Sequence, residues 1–185
     1  MTINENIKGF QLEFETSHKC FSPGQIDTGT LAMLSQVEFR EGQKVLDLGC
    51  GYGAVGVTAA KLVGAANVFM VDSDPEAVTY SRKNAQKNNV EAVHIIQSDG
   101  IETLTESEFD LILCNPPYHA DFSVPRRFIE KGFNRLRIGG KLLLVTKRKE
   151  WYKNKLISIF GGVRIHDIHG YCLFEAEKRQ RDYSK

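Results

Sequence analysis

Through the middle of this chain, the pattern of hydrophobic and polar residues alternates between segments typical of strands and segments typical of helices. Short apolar segments of strand length recur at four places, residues 44–49, 67–72, 92–97 and 109–114. The two longer gaps between them have helical periodicity, at residues 54–62 and 74–88. Strands that alternate with helices in units of this size predict a parallel sheet covered by helices on both faces.

The last third of the chain extends this sheet and then reverses direction. A helix predicted at residues 125–136 meets Gly139-Gly140, which we expect to end it, and the most apolar strand follows at 141–146. After another helix, at about 150–160, two strand-like segments surround Gly170 and predict an antiparallel pair, 163–167 and 171–177. The predicted fold class is therefore α/β: a Rossmann-like, mostly parallel seven-stranded sheet with helices on both faces and a C-terminal antiparallel hairpin.

The N-terminal region leads into this core. Residues 9–15 alternate between apolar and polar side chains, which predicts a half-buried strand. A turn-rich stretch then precedes a helix whose N-cap is Asp27 or Thr28. At 185 residues the chain is most simply a single domain. Its expected parts are an N-terminal strand, cap loop and helix (1–40), the core that carries the chemistry (41–177) and a charged tail that we expect to be frayed (178–185).

Composition narrows the class of protein. The hydrophobic content of 42% and charged content of 25% are ordinary for a globular domain. Residues 1–5 lack the basic and apolar regions of a signal peptide, and no apolar run approaches the roughly twenty residues of a membrane span. We therefore expect a cytoplasmic protein with no membrane partner. The four cysteines have no CxxC spacing, so neither a disulfide framework nor a metal site is predicted.

A glycine-rich turn follows the first strand of the core. Asp47 lies at the carboxyl end of that strand, and Gly49, Gly51 and Gly53 permit a sharp turn and the close approach of a ligand. Asp72 ends the next strand, about twenty residues further on, where a ribose-binding carboxylate is expected. An ordinary strand–helix turn would explain the glycines alone. Together with Asp72 they predict a nucleotide-like cofactor, either a nicotinamide dinucleotide or S-adenosylmethionine.

The fourth strand runs into Asn115-Pro116-Pro117-Tyr118, which favours the second cofactor. Pro116 biases Asn115 away from helix, and the two proline rings stiffen the loop. The Asn115 amide oxygen and the Pro116 carbonyl can each accept one hydrogen of an amino group, and Tyr118 can stack on the ring that bears it. This loop predicts methyl transfer to a planar amino nitrogen, catalysed by positioning and by hydrogen bonds that strengthen as the nitrogen becomes cationic.

In this order the motifs of residues 40–177 resemble those of class I S-adenosylmethionine-dependent methyltransferases. The resemblance implies that the glycine turn holds the methionine part of the cofactor, that Asp72 binds the ribose and that Asp99 with Gly100 meets the adenine. It makes Asn115, Pro116 and Tyr118 the candidate catalytic residues, because the Asn-Pro-Pro-Tyr loop belongs to the members that methylate exocyclic or amide nitrogens. The candidate cofactor-binding residues are Thr30, Asp47, Gly49, Gly51, Gly53, Asp72, Ser73, Asp99, Gly100 and Asn115.

A narrower resemblance covers nearly the whole chain. Three stretches are similar to the small-domain (RsmC-type) ribosomal RNA guanine 2-amino methyltransferases: Phe21-Ser22-Pro23 with Asp27-x-Gly29-Thr30, Asn115 to His119, and Phe160-Gly161 with Gly170-Tyr171. That likeness implies methylation of the 2-amino group of a guanine in small-subunit ribosomal RNA. We expect the chain to depart from the larger members by lacking their duplicated N-terminal domain, which leaves its RNA selectivity open. His119 could shuttle a proton or make a structural hydrogen bond.

The charge distribution also favours a polyanionic partner. The formal net charge is +1, but residues 121–155 contain eleven Lys and Arg against three Asp and Glu, a net charge of +8. A solvated helix face accounts for part of this bias. Since the segment adjoins the candidate catalytic loop, we expect ribosomal RNA or a ribosomal particle as the substrate. The sequence assigns no oligomeric state.

Four other functions remain open from the sequence. The same loop serves protein glutamine amide methyltransferases, but those usually carry a helical N-terminal substrate domain. DNA adenine methylation would need a target-recognition domain. A nicotinamide-dependent oxidoreductase would leave the Asn-Pro-Pro-Tyr loop without a role. A non-catalytic cofactor-binding subunit would not need Asn115 and Tyr118.

Overall fold

The computed structural model describes residues 1–117 and 121–183, and its centre is a seven-stranded sheet. In chain order the elements are β1 (Thr2–Ile7), β2 (Phe10–Glu15), α1 (Thr28–Gln36), β3 (Val45–Leu48), α2 (Ala54–Val63), β4 (Val68–Asp72), α3 (Pro75–Lys87), β5 (His94–Gln97), β6 (Phe109–Cys114), α4 (Ser123–Arg135), β7 (Leu136–Thr146), α5 (Lys149–Phe160), β8 (Arg164–Ile168) and β9 (Tyr171–Glu177). A short 3-10 turn, Ala65–Asn67, precedes β4.

The strand order of this sheet is β5-β4-β3-β6-β7-β9-β8. The first five strands are parallel, and β9 and β8 are antiparallel additions at one edge. Apart from the start of β7, the predicted bounds of these elements agree with the observed ones within two residues. The predicted fold class is confirmed.

Helices cover the two faces of the sheet unequally. Helices α1, α2 and α3 contribute to one hydrophobic cluster, and α4 and α5 contribute to the other. All four residues of β3 are buried because this central strand is covered on both faces, which explains its nearly continuous apolar sequence. Among the described residues, no helix is both long and apolar enough to cross a membrane.

A separate two-stranded sheet, formed by β1 and β2, was only half predicted. The two strands pair antiparallel through a two-residue turn, Lys8-Gly9, in which both residues have positive φ. β1 escaped prediction because only its two isoleucines are buried. Asn84 of α3 clamps β2 in place: its Oδ1 accepts from the Glu15 N–H at 2.7 Å, and its Nδ2 donates to the carbonyls of Glu15 and Tyr52.

The role predicted for Gly139-Gly140 is wrong. Helix α4 ends at Arg135, and both glycines lie inside β7, which begins at Leu136. The pairing of β6 with β7 shifts register between Phe109 and Leu111, next to the glycines. A Cβ on Gly140 would lie 2.6 Å from the Phe109 carbonyl oxygen, so the glycine permits a close approach of two backbones rather than ending a helix.

The expectation of a frayed tail is wrong for Lys178, whereas residues 179–183 are exposed. Lys178 is only 7% exposed, and its ammonium donates to the Leu136 carbonyl at 2.9 Å. Its backbone N–H donates to Gly140, and the Tyr183 ring packs edge-on against Phe133. Burial lowers the pKa of Lys178. The first residues after β9 therefore continue the packing of the sheet and α4.

Candidate active site

Most of the predicted site residues converge where β3, β4, β5 and β6 end. The chain crosses from one side of β3 to the other between β5 and β6, and ligands of open α/β sheets bind outside such a switch point. Two adjoining cavities, of about 320 and 50 Å³, share Phe21, Gly49, Gly51 and Asn115. The larger is also lined by Val71, Asp72, Ser73, Ser98, Asp99, Gly100, Pro117, Val124 and Phe128, and the smaller by Thr30, Asp47, Cys50, Tyr52, Ala54 and Val55.

The glycine turn divides into two parts with different surroundings. Gly49 and Gly51 line the cavities, and a Cβ on Gly51 would have no atom within 4 Å. Gly53 has a φ of 100°, and a Cβ there would lie 2.9 Å from the Met70 side chain of β4. Gly51 therefore leaves room for a ligand, whereas Gly53 lets α2 pack closely on the sheet.

Asp72 is fixed by the same turn. Its Oδ2 accepts from the Gly51 N–H at 2.8 Å, and its Oδ1 accepts from the Asp74 N–H at 3.0 Å. Each carboxylate oxygen has a second lone pair, so both can still accept a bond from a ligand hydroxyl. Asp99 and Ser73 line the same cavity, and Asp99 forms an ion pair with Arg127 of α4 at 3.2 Å.

Asp47 is the most deeply buried acid of the site. It is 3% exposed, and its Oδ2 accepts from the Gly56 N–H of α2 at 2.8 Å. Burial is the main cause that raises the pKa of Asp47 to about 7; the nearby charge of Asp72 adds to it and the Gly56 bond opposes it. A cationic ligand group in the smaller cavity would favour the ionised carboxylate.

Asn115 presents a buried acceptor to the cavities. Its Nδ2 donates to Asp27 Oδ2 at 2.9 Å and to Thr30 Oγ1 at 3.0 Å. Its Oδ1 is the one buried side-chain polar atom without a hydrogen-bond partner among the residues that the structure describes. An unsatisfied buried oxygen is costly, so its presence beside a cavity indicates a ligand that donates a hydrogen bond.

Two predicted residues lie away from the cavities, and one is not described. Gly53 and Pro116 line neither cavity, within the described ranges, and Pro116 is buried. Pro117, its exposed neighbour, lines the larger one. Tyr118 lies outside the described residues, as does His119. Over residues 1–117 and 121–183, no group of three or more His, Cys, Asp or Glu side chains is arranged to hold a metal ion.

Three further residues belong to the site but were not predicted. Asp27 could be named only as a possible N-cap; it does cap α1 by accepting from the Thr30 N–H at 3.0 Å, and it also holds Asn115. Phe21 lines both cavities while 50% exposed, and Phe128 forms a wall of the larger one. The sequence signal for Phe21 was its place in the Phe-Ser-Pro stretch, whereas Phe128 looks like any core residue of an amphipathic helix.

Most of the chain, residues 11–174, matches the methyltransferase small domain family. The chain belongs to this family. As a methyltransferase small domain, it carries its Asn115 loop and its glycine turn within the matched region, together with the N-terminal segment that supplies Asp27 and Thr30.

Relatives of this methyltransferase small domain include ribosomal RNA methyltransferases. It is 31% identical over 163 residues to ribosomal RNA small subunit methyltransferase C of Pseudomonas entomophila, a match that covers 85% of this chain and 48% of the relative. It is 33% identical to ribosomal RNA large subunit methyltransferase G of Shewanella denitrificans, with 86% and 43% covered. The chain thus spans about half the length of these relatives.

A solved structure has the same architecture. The T. thermophilus 16S rRNA N2 methyltransferase (RsmC), in complex with AdoMet and guanosine, superposes with a TM-score of 0.89 at 30% identity. The superposition covers 97% of this chain and 50% of that one.

Proposed function

We propose that this chain is an S-adenosylmethionine-dependent methyltransferase that methylates the 2-amino group of a guanine in small-subunit ribosomal RNA. The observation that carries the proposal is the buried, unpartnered Oδ1 of Asn115 beside a cavity of nucleotide size. The solved relative bound to AdoMet and guanosine supports the choice of cofactor and base. The relative named for the large subunit makes large-subunit RNA the nearest competing substrate.

The cavity residues fit this cofactor. Asp72 would accept hydrogen bonds from the ribose hydroxyls, and Gly49 with Gly51 would let the cofactor approach the backbone. Asp99 and Gly100 would border the adenine, and Asp47 would face a positively charged group in the smaller cavity. When bound, S-adenosylmethionine supplies a methyl group that is electrophilic because it is attached to a positively charged sulfur.

Asn115 would hold the attacking nitrogen. The amino group of guanine carries two hydrogens, and Oδ1 of Asn115 can accept one of them, which leaves the nitrogen lone pair free to face the methyl group. As the N–C bond formed and the methyl–sulfur bond broke, the nitrogen would become positively charged, the sulfonium would leave as a neutral thioether, and the hydrogen bond to Oδ1 would strengthen. The extra proton can then leave to water, so the reaction needs no base before the attack.

Asp27 and Thr30 would preorganise this acceptor. Both N–H bonds of the Asn115 amide are already engaged, so the amide cannot turn its nitrogen towards the substrate. A carboxylate that accepts a hydrogen bond from Nδ2 also polarises the amide. The polarisation places more negative charge on Oδ1 and makes it a better acceptor. The group is thus oriented before the substrate binds, which lowers the reorganisation needed in the transition state.

Methyl transfer to ribosomal RNA tests the proposal. The purified protein is incubated with labelled S-adenosylmethionine and separate small- and large-subunit RNA from a strain that lacks its gene, and the nucleosides are then analysed. We expect N2-methylguanosine in the small-subunit RNA. Label confined to the large subunit would contradict the assigned substrate, and label on protein glutamine would contradict RNA methylation altogether.

A further inference from the structure

The basic segment 121–155 is largely neutralised in the folded protein. Of its eleven Lys and Arg residues, six form ion pairs with carboxylates: Arg127–Asp99, Lys131–Glu102, Arg137–Asp110, Lys141–Glu175, Lys149–Asp167 and Lys155–Glu130. Five of these acids lie outside the segment. Arg135 donates to the Glu106 carbonyl. These ion pairs therefore cancel most of the +8 charge, so most of it cannot attract a polyanion.

Five cations of the segment are not neutralised in this way. Within the described ranges, no carboxylate lies at ion-pair distance from Arg126, Arg135, Lys147, Arg148 or Lys153. Lys147 and Arg148 directly follow β7, and β7 pairs with β6 so that Leu144 lies opposite Cys114. The two cations therefore emerge next to Asn115, at the edge of the sheet where the cavities open. Two of the uncompensated cations therefore lie beside the site.

Aromatic rings accompany two of these cations. Phe122 and Trp151 are stacked with their centroids 4.4 Å apart and an interplanar angle of 22°, and the Arg148 guanidinium lies 5.2 Å from the centroid of Phe122. The Lys147 ammonium lies 4.9 Å from the centroid of Tyr171. We call Phe122, Lys147, Arg148 and Trp151 the β7–α5 ridge. Phe122 and Trp151 are both partly exposed, and both cations are exposed.

The chemistry of the ridge differs from that of a structural salt bridge. A guanidinium that packs its face on a ring keeps its N–H edges available for the paired oxygens of a phosphate. A partly exposed aromatic pair can offer the outer face of a ring as a platform on which an unpaired base stacks. Cations with free donors next to such a platform combine the two requirements for binding single-stranded nucleic acid.

We propose that the β7–α5 ridge binds the RNA strand that flanks the target guanine, with Lys147 and Arg148 on phosphates and the Phe122–Trp151 pair under a neighbouring unpaired base. The proposal rests on the proposed function and adds the direction of the strand, which leaves the pocket over β7 and the start of α5. A base held in a pocket at the strand ends must be unpaired, so its neighbours are also available for stacking.

Matched double substitutions test the ridge. Lys147→Ala with Arg148→Ala removes two uncompensated cations, whereas Lys131→Ala with Lys155→Ala removes two ion-paired ones, and both variants change the net charge by the same amount. Binding of a fluorescent 12-nucleotide single-stranded RNA containing one guanine is measured from about 50 to 200 mM salt. We expect the ridge variant to lose about 1.4 from the slope of log K against log salt, and the control to keep the wild-type slope. Equal slopes for the two variants would overturn the proposal.

The stacking role needs a separate variant. Trp151→Leu keeps an apolar side chain in the partly buried position, and we expect RNA binding to weaken about 10-fold while the melting temperature and cofactor affinity stay near those of the wild type. Wild-type RNA affinity in this variant would overturn the platform. If the wild type methylates ribosomal RNA but the ridge variants bind RNA as the wild type does, the role of the ridge is refuted and the proposed function is not. Salt-dependent loss of RNA binding in the ridge variants, with no methylation by the wild type, would refute the proposed function alone.

Discussion

The orientation of the Asn115 amide is determined atom by atom. A carboxylate has no hydrogen to donate, so Asp27 must face Nδ2 of Asn115 and not Oδ1. The Thr30 hydroxyl accepts from the same nitrogen. Since no donor among the described residues reaches Oδ1, a donor that enters the cavity can satisfy it, and an exocyclic amino group is such a donor.

Asp27→Asn tests this arrangement with little effect on the helix it caps. Asn and Asp are about equally good N-caps, so α1 should keep its start. The substitution removes the charged acceptor and introduces an amide that can donate. We expect the methyl-transfer rate to fall about 10- to 100-fold, the equivalent of about 1.4–2.7 kcal/mol, in single-turnover assays. Calorimetry should show cofactor affinity within about twofold of the wild type; an unchanged rate would show that Asp27 only caps the helix.

Asp47 should link cofactor binding to a proton. Because its pKa is raised to about 7, the carboxyl is partly protonated at neutral pH, and a cationic ligand would drive the proton off. We expect S-adenosylmethionine to bind more tightly as the pH rises from about 6 to 7.5 and to release a proton. Calorimetry in buffers of different ionisation enthalpy measures that release. Asp47→Asn should abolish the buffer dependence, and its persistence in this variant would exclude Asp47 as the source.

The same group affects the stability of the cofactor-free protein. Folding favours protonated Asp47, since the pKa rises from 3.8 in the unfolded reference to about 7. The unfolded chain therefore binds fewer protons than the folded one between these values. The contribution of Asp47 to stability is full below about pH 4 and is lost as the pH rises through 7. A salt-bridged carboxylate would have the opposite sign.

The placement of residues at the site was only partly predictable. The position of Asn115 beside the cavities could be predicted because it follows β6 and two prolines in the sequence restrict it. Its partner Asp27 lies 88 positions earlier, and their contact depends on where α1 packs against the sheet. The division within the glycine turn, with Gly51 open to the cavity and Gly53 against Met70, likewise depends on the packing of α2 on β4.

At the scale of elements, the second glycine of Gly139-Gly140 lets the backbones of β6 and β7 approach closely. A Cβ on Gly140 would meet the carbonyl oxygens of Phe109 at 2.6 Å and Arg137 at 3.0 Å, both of them backbone atoms that cannot rotate away. We expect Gly140→Ala to lower the free energy of unfolding by about 1–3 kcal/mol in denaturant titrations. Gly162→Ala is the control, because a Cβ there has no atom within 4 Å. Equal stabilities of the two variants would contradict the close approach of β6 and β7.

Hydrophobic periodicity predicted an element well where the burial of its residues is uniform along its length. The central strands β3, β4 and β6 are apolar because helices cover both faces of the sheet, and their bounds followed from that pattern. β1 was not predicted because only Ile3 and Ile7 of that strand are buried in the two-stranded sheet. Gly139-Gly140 was misassigned because a glycine pair fits a helix end and a strand bulge equally well from sequence alone.

At the scale of the whole molecule, charge is distributed by tertiary structure. The +8 segment and the acidic remainder meet in ion pairs such as Arg127–Asp99 and Lys141–Glu175, which join positions 28 and 34 apart. Sequence counts could locate the basic segment but not its neutralisation, since partners depend on which elements become neighbours. Two of the cations without a carboxylate partner, Lys147 and Arg148, follow the end of β7 beside the site that is proposed for a polyanionic substrate.

The rate of methyl transfer by Asn115→Ala, measured together with its affinity for S-adenosylmethionine, tests the central claim most directly. The substitution removes the unpartnered acceptor and leaves Asp72 and the glycine turn in place. We predict transfer to small-subunit ribosomal RNA at least about 100-fold slower than in the wild type, with a cofactor Kd within about threefold. Transfer at the wild-type rate would contradict the assignment of Asn115 as the group that holds the amino nitrogen.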